Sequence, residues 1–273
     1  MLNFDFYNPT RIAFGKGKVA EIDKLVPAEA RVLIVYGGTS AKKNGTLDEV
    51  KAALGGRYAE EFSGIEPNPT YETLMKAVSK IKANKLDYLL AVGGGSVIDA
   101  TKVMLVALKK GLSTPAQLHE AAVFAATDGS VRPADAADWL RMIAVPTTLS
   151  AAEFTWFAGC SDTTARVKEI FGYPMTAPRA VIVDPLVTLD TPMNLFLSSG
   201  IKAVDHAADA GLVVAGLHRH QGQQAGADGA DGFAVHADAG FGDALDEGDH
   251  AAILCEPAGA MAGKRASLTL AAW

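Results

Sequence analysis

Apolar residues in the first half of the chain recur with two periods. Arg31-Val-Leu-Ile-Val-Tyr36 is a continuous apolar run closed by Gly37-Gly38, the pattern of a strand buried on both faces. Thr46 to Leu54 follows, with Leu47, Val50 and Leu54 spaced three and four apart. That spacing predicts a helix, and Thr46 is its expected N-cap. An extended stretch runs to Phe62, and a second helix is predicted from about Pro69 to Ala83, with Leu74, Ala77, Val78 and Ile81 in its apolar stripe. Leu86 to Val92 reads as another buried strand, ending at Gly93-Gly94-Gly95-Ser96, where a helix carrying Val97, Ile98, Thr101, Val103 and Met104 begins. Strand, turn and helix in alternation predict parallel strands joined by right-handed crossovers, an α/β fold with a doubly wound sheet.

Further along, the signals thin out. Residues 111–138 read as a looser insertion, rich in Ala and broken by Gly, Ser and Pro. Met142 to Val145 is a short strand, Phe154 to Ser161 and Arg166 to Ile170 are expected to pair as a hairpin, and Ala180 to Val183 is a strand closed by Asp184-Pro185. A helix containing Ile201, Val204 and His206 is expected to start near Ser198. After His206 the composition changes. From Ala207 to His250, 11 Ala, 9 Gly, 7 Asp and 4 His make up 31 of 44 residues. Such a stretch buries too little apolar surface to offset chain entropy. Two readings stay open for it: a natural disordered tail, or a GC-rich gene read in a shifted frame.

Composition alters this picture little. With 49% hydrophobic and 21% charged residues the chain is of ordinary globular type, and a net charge of −6 argues against nucleic acid or an anionic membrane as partner. Cys160 and Cys255 are too few for a disulfide framework. Met1 to Thr10 lacks the pattern of a signal peptide, and no apolar run reaches the roughly 18 residues of a membrane helix. The cytoplasm is the expected compartment.

Two glycine-rich strand ends carry the candidate chemistry. In open α/β sheets, ligands bind beyond the carboxyl ends of strands, where backbone amides and a helix N-terminus cradle phosphate. Gly94, Gly95 and Ser96 occupy such a place without forming a G-x-G-x-x-G fingerprint. A tight turn with no ligand is the alternative. Gly37, Gly38, Thr39 and Ser40 close the preceding strand, where an adenosine ribose would lie. Neutral Thr39 and Ser40, with Lys42 and Lys43 behind them, lean toward NADP over NAD. The alternative is that both lysines are simply solvated.

Taken together, Asn8-Pro-Thr-Arg-Ile-Ala-Phe-Gly-Lys-Gly17, Gly64-Ile-Glu-Pro-Asn-Pro69, Ala91-Val-Gly-Gly-Gly-Ser-Val-Ile-Asp99 with Lys102, Pro146-Thr-Thr148 and Ala180-Val-Ile-Val-Asp-Pro185 resemble the iron-type (group III) alcohol dehydrogenase superfamily, including its maleylacetate reductase branch. The resemblance implies a dinucleotide-binding α/β domain, here 1–185, then a helical domain, here begun over 186–210, with the active site between them. Residues 211–273 are the low-complexity tail, so the helical half is expected to be missing or frame-shifted after about residue 206. The implied activity is hydride transfer between a nicotinamide cofactor and a small alcohol, aldehyde or oxo acid. The alternative is a defective remnant that only binds nucleotide. A homodimer is the implied assembly.

Position by position, the resemblance gives Gly94, Gly95 and Ser96 the pyrophosphate and puts Asp99 on the nicotinamide side. It sets Thr147 and Thr148 along the adenine or phosphate region, makes Glu66 to Pro69 a rigid loop near the adenosine, and makes Lys168 a cofactor contact. A surface lysine is the alternative for Lys168. His206 matches the histidine of Asp-x-x-x-His, which holds iron or zinc in metal-dependent members, but Lys202 stands where the acid would be. His206 is therefore expected to act on the substrate oxygen by hydrogen bonding or proton transfer, a structural role being the alternative. His218-x-His220 could at most take a stray divalent ion.

Overall fold

A computed structural model describes residues 9–38, 40–122, 138–202, 251–252 and 271–272. The chain divides into two units, Met1–Ala203 and Val204–Trp273. In the second unit only the antiparallel pair β9 (Ala251–Ala252) and β10 (Ala271–Ala272) is described. The low-complexity tail and His206 otherwise lie outside the described residues.

The first unit is built on a six-stranded parallel sheet, in the order β1 (Arg11–Phe14), β8 (Ala180–Val183), β5 (Arg141–Pro146), β4 (Tyr88–Gly93), β2 (Val32–Tyr36), β3 (Tyr58–Phe62). The central strands are apolar except for Arg141 at the start of β5, because both faces are covered, and the side chains divide between them with period two. Leu33, Val35, Leu89, Ala91, Met142 and Ala144 enter one core, with α4 (Tyr71–Ala83) and α5 (Gly95–Lys109). Val32, Ile34, Leu90, Val92, Ile143 and Val145 enter the other, with α1 (Ile22–Leu25) and α3 (Thr46–Leu54).

The order of the strands matters for function. From β2 the chain passes through α3 to β3 on one side, then through α4 to β4 on the other side of β2. The strand order therefore reverses between β2 and β4, and their carboxyl ends, Gly37 and Gly93, flank the crevice that such a reversal opens.

Some expectations need correction. Thr46 is buried and does not cap α3. Gly45, in the left-handed region, is the N-cap, and Asn44 Oδ1 accepts from the Thr46 amide at 3.1 Å. The insertion contains a helix, α6 (Pro115–Ala121), started by Pro115 and by a capping box in which Gln117 answers Thr114. β1 is an edge strand of four residues, too short to show a period. The helix expected near Ser198 begins five residues earlier and is described over 193–202 (α7). Antiparallel β6 (Phe157–Asp162) and β7 (Val167–Gly172) form the expected hairpin.

Leu90 is fully buried at the centre of the sheet. Leu90→Ala should cost about 2–5 kcal/mol of stability in urea unfolding. A loss below about 1 kcal/mol would mean that this core is not packed as described.

Candidate functional site

The crevice is framed from its two glycine-rich ends. At β4, Gly94 is the N-cap of α5 and no side chain caps the helix. Val97 and Ile98 are the first amides to bond back to Gly94 O, so the amides before them have no partner within the helix. A Cβ on Gly94 would lie 3.0 Å from Thr148 Cγ2, and one on Gly95 would lie 2.8 Å from Ser150 Oγ. Only glycine lets the loop after β5 approach this closely. Ser150 Oγ is buried with no hydrogen-bond partner in the described structure. A 15-residue helix ending uncapped beside an unpartnered buried hydroxyl suits an anionic group such as a pyrophosphate.

At β2, Gly37 O accepts from the Gly64 amide at 2.8 Å, and a Cβ on Gly37 would stand 3.5 Å from Val97 Cγ2. The two strand ends are thus adjacent. A Cβ on Gly38 would meet nothing within 4 Å, and Ser40 opens α2 (Ser40–Lys43), which exposes Lys42 and Lys43. Thr39 lies outside the described residues.

The loop Gly64–Pro69 spans from one end to the other. Burial would raise the Glu66 carboxyl, but hydrogen bonds from Thr70 and Thr73 outweigh it and hold the group below its ordinary value. The anchored carboxylate fixes the loop so that the Asn68 amide donates to Ser96 Oγ at 3.3 Å, and Lys168 Nζ donates to Asn68 Oδ1 at 2.9 Å. Asn68 therefore links Ser96 to Lys168, on the α5 side of the crevice. The aliphatic end of Lys168 also covers Gly159, whose amide donates to Asp99 Oδ2 at 3.1 Å. Lys168, distant in sequence, is thereby brought to Ser96 and Asp99, which lie one turn apart on α5. Thr148 joins Gly94, while Thr147 stands in a small cleft with Ala41, Asn44 and Asp190.

Lys102 is the residue whose role the sequence did not reveal. Its side chain is fully buried on α5, and its ammonium donates to Ala152 O at 2.6 Å and Phe157 O at 2.8 Å, with Asp99 at 4.0 Å. Burial lowers its pKa to about 8, against the pull of Asp99 and Glu153. Burial likewise raises the carboxyls of Asp99 and Glu153, which Lys102 opposes in both. The one available signal was an ionisable residue one turn after Asp99, in a helix that carries no other charge from Ala100 to Ala107 and is buried throughout that stretch.

Lys202, at the position where metal-dependent relatives would have the acid, is exposed on α7, and His206 lies outside the described residues.

Residues 9–185 match the profile of the family described as "Iron-containing alcohol dehydrogenase". The chain belongs to that family. It is 36% identical to "NADP-dependent alcohol dehydrogenase 3" of Entamoeba histolytica over 77% of this chain and 53% of that protein. It is 56% identical to "NADPH-dependent aldehyde reductase YqhD" of Escherichia coli over 39% of this chain and 28% of the other. The crystal structure of NADH-dependent butanol dehydrogenase A from Thermotoga maritima superposes with a TM-score of 0.64 at 30% identity, covering 75% of this chain and 50% of that one. The chain thus spans about half the length of the larger relatives it matches.

The buried ammonium gives a pH test. In the folded chain Lys102 releases its proton near pH 8, against 10.5 for an ordinary lysine. Between those values the unfolded chain holds more protons, so this residue makes stability rise with pH there and contributes no slope below about pH 8. Lys102→Met should remove that slope. The gap between the two unfolding free energies should change by on the order of 2–3 kcal/mol from pH 7 to pH 10. Parallel pH profiles would show that Lys102 titrates normally.

Proposed function

We propose that the described unit is the dinucleotide-binding half of an NAD(P)-dependent oxidoreductase that interconverts small alcohols with aldehydes or oxo acids. The observation that carries this reading is the uncapped N-terminus of α5 at the reversal point of the sheet, where added Cβ atoms on Gly94 and Gly95 would crowd the neighbouring loop. The bound cofactor supplies the hydride. Gly94, Gly95 and Ser96 hold its pyrophosphate, and Thr148 closes the wall beside them. Gly37, Gly38, Thr39 and Ser40 take the adenosine ribose, with Thr147 toward the adenine. Asp99 and Lys168 orient the nicotinamide side, and Lys168 adds a cation near the phosphates. Lys42 and Lys43 beside a ribose site without an acid favour NADP, as do relatives whose names specify NADPH or NADP.

His206 acts at the substrate oxygen as hydrogen-bond or proton donor, without a metal, in the manner of the maleylacetate reductase branch. Lys202 in place of an acid and the loop Pro146-Thr-Thr-Leu-Ser-Ala-Ala-Glu-Phe154 support that placement. A homodimer is the proposed assembly. β1 lies at the sheet edge and exposes Ile12 and Phe14, a surface that a second copy would cover. The compartment is the cytoplasm, in keeping with Cys160 as a free buried thiol. Among the described residues no helix is long and apolar enough to cross a membrane. A second reading, nucleotide binding without turnover, is supported by the low-complexity composition from Ala207 to His250, where the helical half is expected.

Calorimetric titration with NADPH and NADH tests the reading. NADPH should bind more tightly. Gly95→Ala and Lys168→Ala should each weaken binding about ten-fold, or ~1.4 kcal/mol, with the folded structure retained by circular dichroism. Absence of binding by both nucleotides would sink the proposal. Binding without NADPH consumption in the presence of aldehydes or oxo acids would select the second reading.

A further inference from the structure

Away from the crevice, the last turn of α6 reaches β7 through His119 and Glu169. We infer that His119, Asp162 and Glu169 there form a divalent-cation site of the zinc type, clipping the helix to the hairpin. One ligand atom from each of the three lies within 4.8 Å of the others, and His119 Nδ1 stands 2.6 Å from Glu169 Oε1. In the hairpin register Cys160 faces Glu169 and Asp162 faces Val167. Glu169 and Asp162 are therefore diagonal neighbours on one face, where two carboxylates repel unless a cation lies between them. Lys168 is on the opposite face and is engaged with Asn68.

The carboxylates are oriented as ligands usually are, by partners behind them. Glu169 Oε2 accepts from Tyr71 Oη, leaving Oε1 toward His119. Asp162 Oδ1 accepts from the amides of Thr164 at 2.8 Å and Ala165 at 3.0 Å, which fixes its plane at the hairpin turn. Zinc bonds of about 2.0–2.2 Å in tetrahedral array set ligand atoms roughly 3.3 Å apart. The imidazole and Glu169 would open by less than about 1 Å, for which the half-exposed His119 ring has room, and Asp162, within 4.8 Å of both, would close by up to about 1.5 Å. With a neutral imidazole the three ligands carry two negative charges, which one divalent ion neutralises, and the solvent-facing side leaves positions for water. A mixed nitrogen and oxygen set suits zinc, cobalt or nickel better than calcium or magnesium.

The site shares no residue with the nucleotide crevice or with His206, so it stands or falls independently of the proposed activity. Metal-free full-length chain would be titrated with ZnCl2 by calorimetry and with CoCl2 by visible absorption. We expect one ion per chain, a visible cobalt band, and a melting temperature raised by zinc. H119A and D162N should each weaken zinc at least ten-fold and abolish the thermal shift, with E169Q as a further variant should either fail to fold. H206A should bind zinc like the parent chain. Absence of zinc binding by the parent chain, zinc that survives both H119A and D162N, or loss of zinc with H206A alone would overturn the assignment. The last two outcomes would place the ion at the other histidines.

Discussion

Parallel strands force the chain to cross over between neighbours, and right-handed crossovers on both faces require the strand order to reverse somewhere in the sheet. Here the reversal falls between β2 and β4. The nucleotide crevice follows from that constraint. The helices that leave the two strands depart to opposite faces, so neither of them covers the gap between Gly37 and Gly93. Amides at the start of α5 face that gap, and glycine at 94 and 95 lets the loop after β5 close against them.

Around this gap, fixed charge serves geometry. The ammonium of Lys102 is held inside the protein by two carbonyls and by Asp99, joining α5 to the loop at Ala152 and to the start of β6. Such a buried group is costly unless its donors are satisfied. The carbonyls of Ala152 and Phe157 meet that need and so fix where the hairpin starts. The hairpin in turn sets Gly159 against Asp99 and carries Lys168 to Asn68. A second anchored carboxylate, Glu66, holds the loop that carries Asn68. One wall of the site thus depends on two buried or half-buried ionised groups with satisfied partners.

The family resemblance and the fold converge because both rest on the same residues. Matching runs from residue 9 to 185, which is nearly the span over which strands and glycine ends can be traced in the sequence. Proteins named for NADP and NADH both match over about three quarters of this chain, so the scaffold is common to relatives of different cofactor preference.

The sequence by itself determined β2, β4, α3, α4 and α5, because long apolar runs and three-and-four spacing report burial that each element cannot avoid. It also marked both glycine ends and the hairpin turn. It did not reveal α6 as a helix, although Pro115 and the Thr114–Gln117 box carried the signal, since seven residues show too little periodicity among alanines. β1 escaped for the same reason of length. Only the tertiary structure decided which distant residues meet: Asn68 with Lys168, Asp99 with Gly159, Lys102 with the carbonyls of Ala152 and Phe157, and His119 with Glu169. Those pairings depend on crossovers and strand register. Periodicity records how each segment faces its core, whereas register records where one segment lies against another, and no local pattern carries that information.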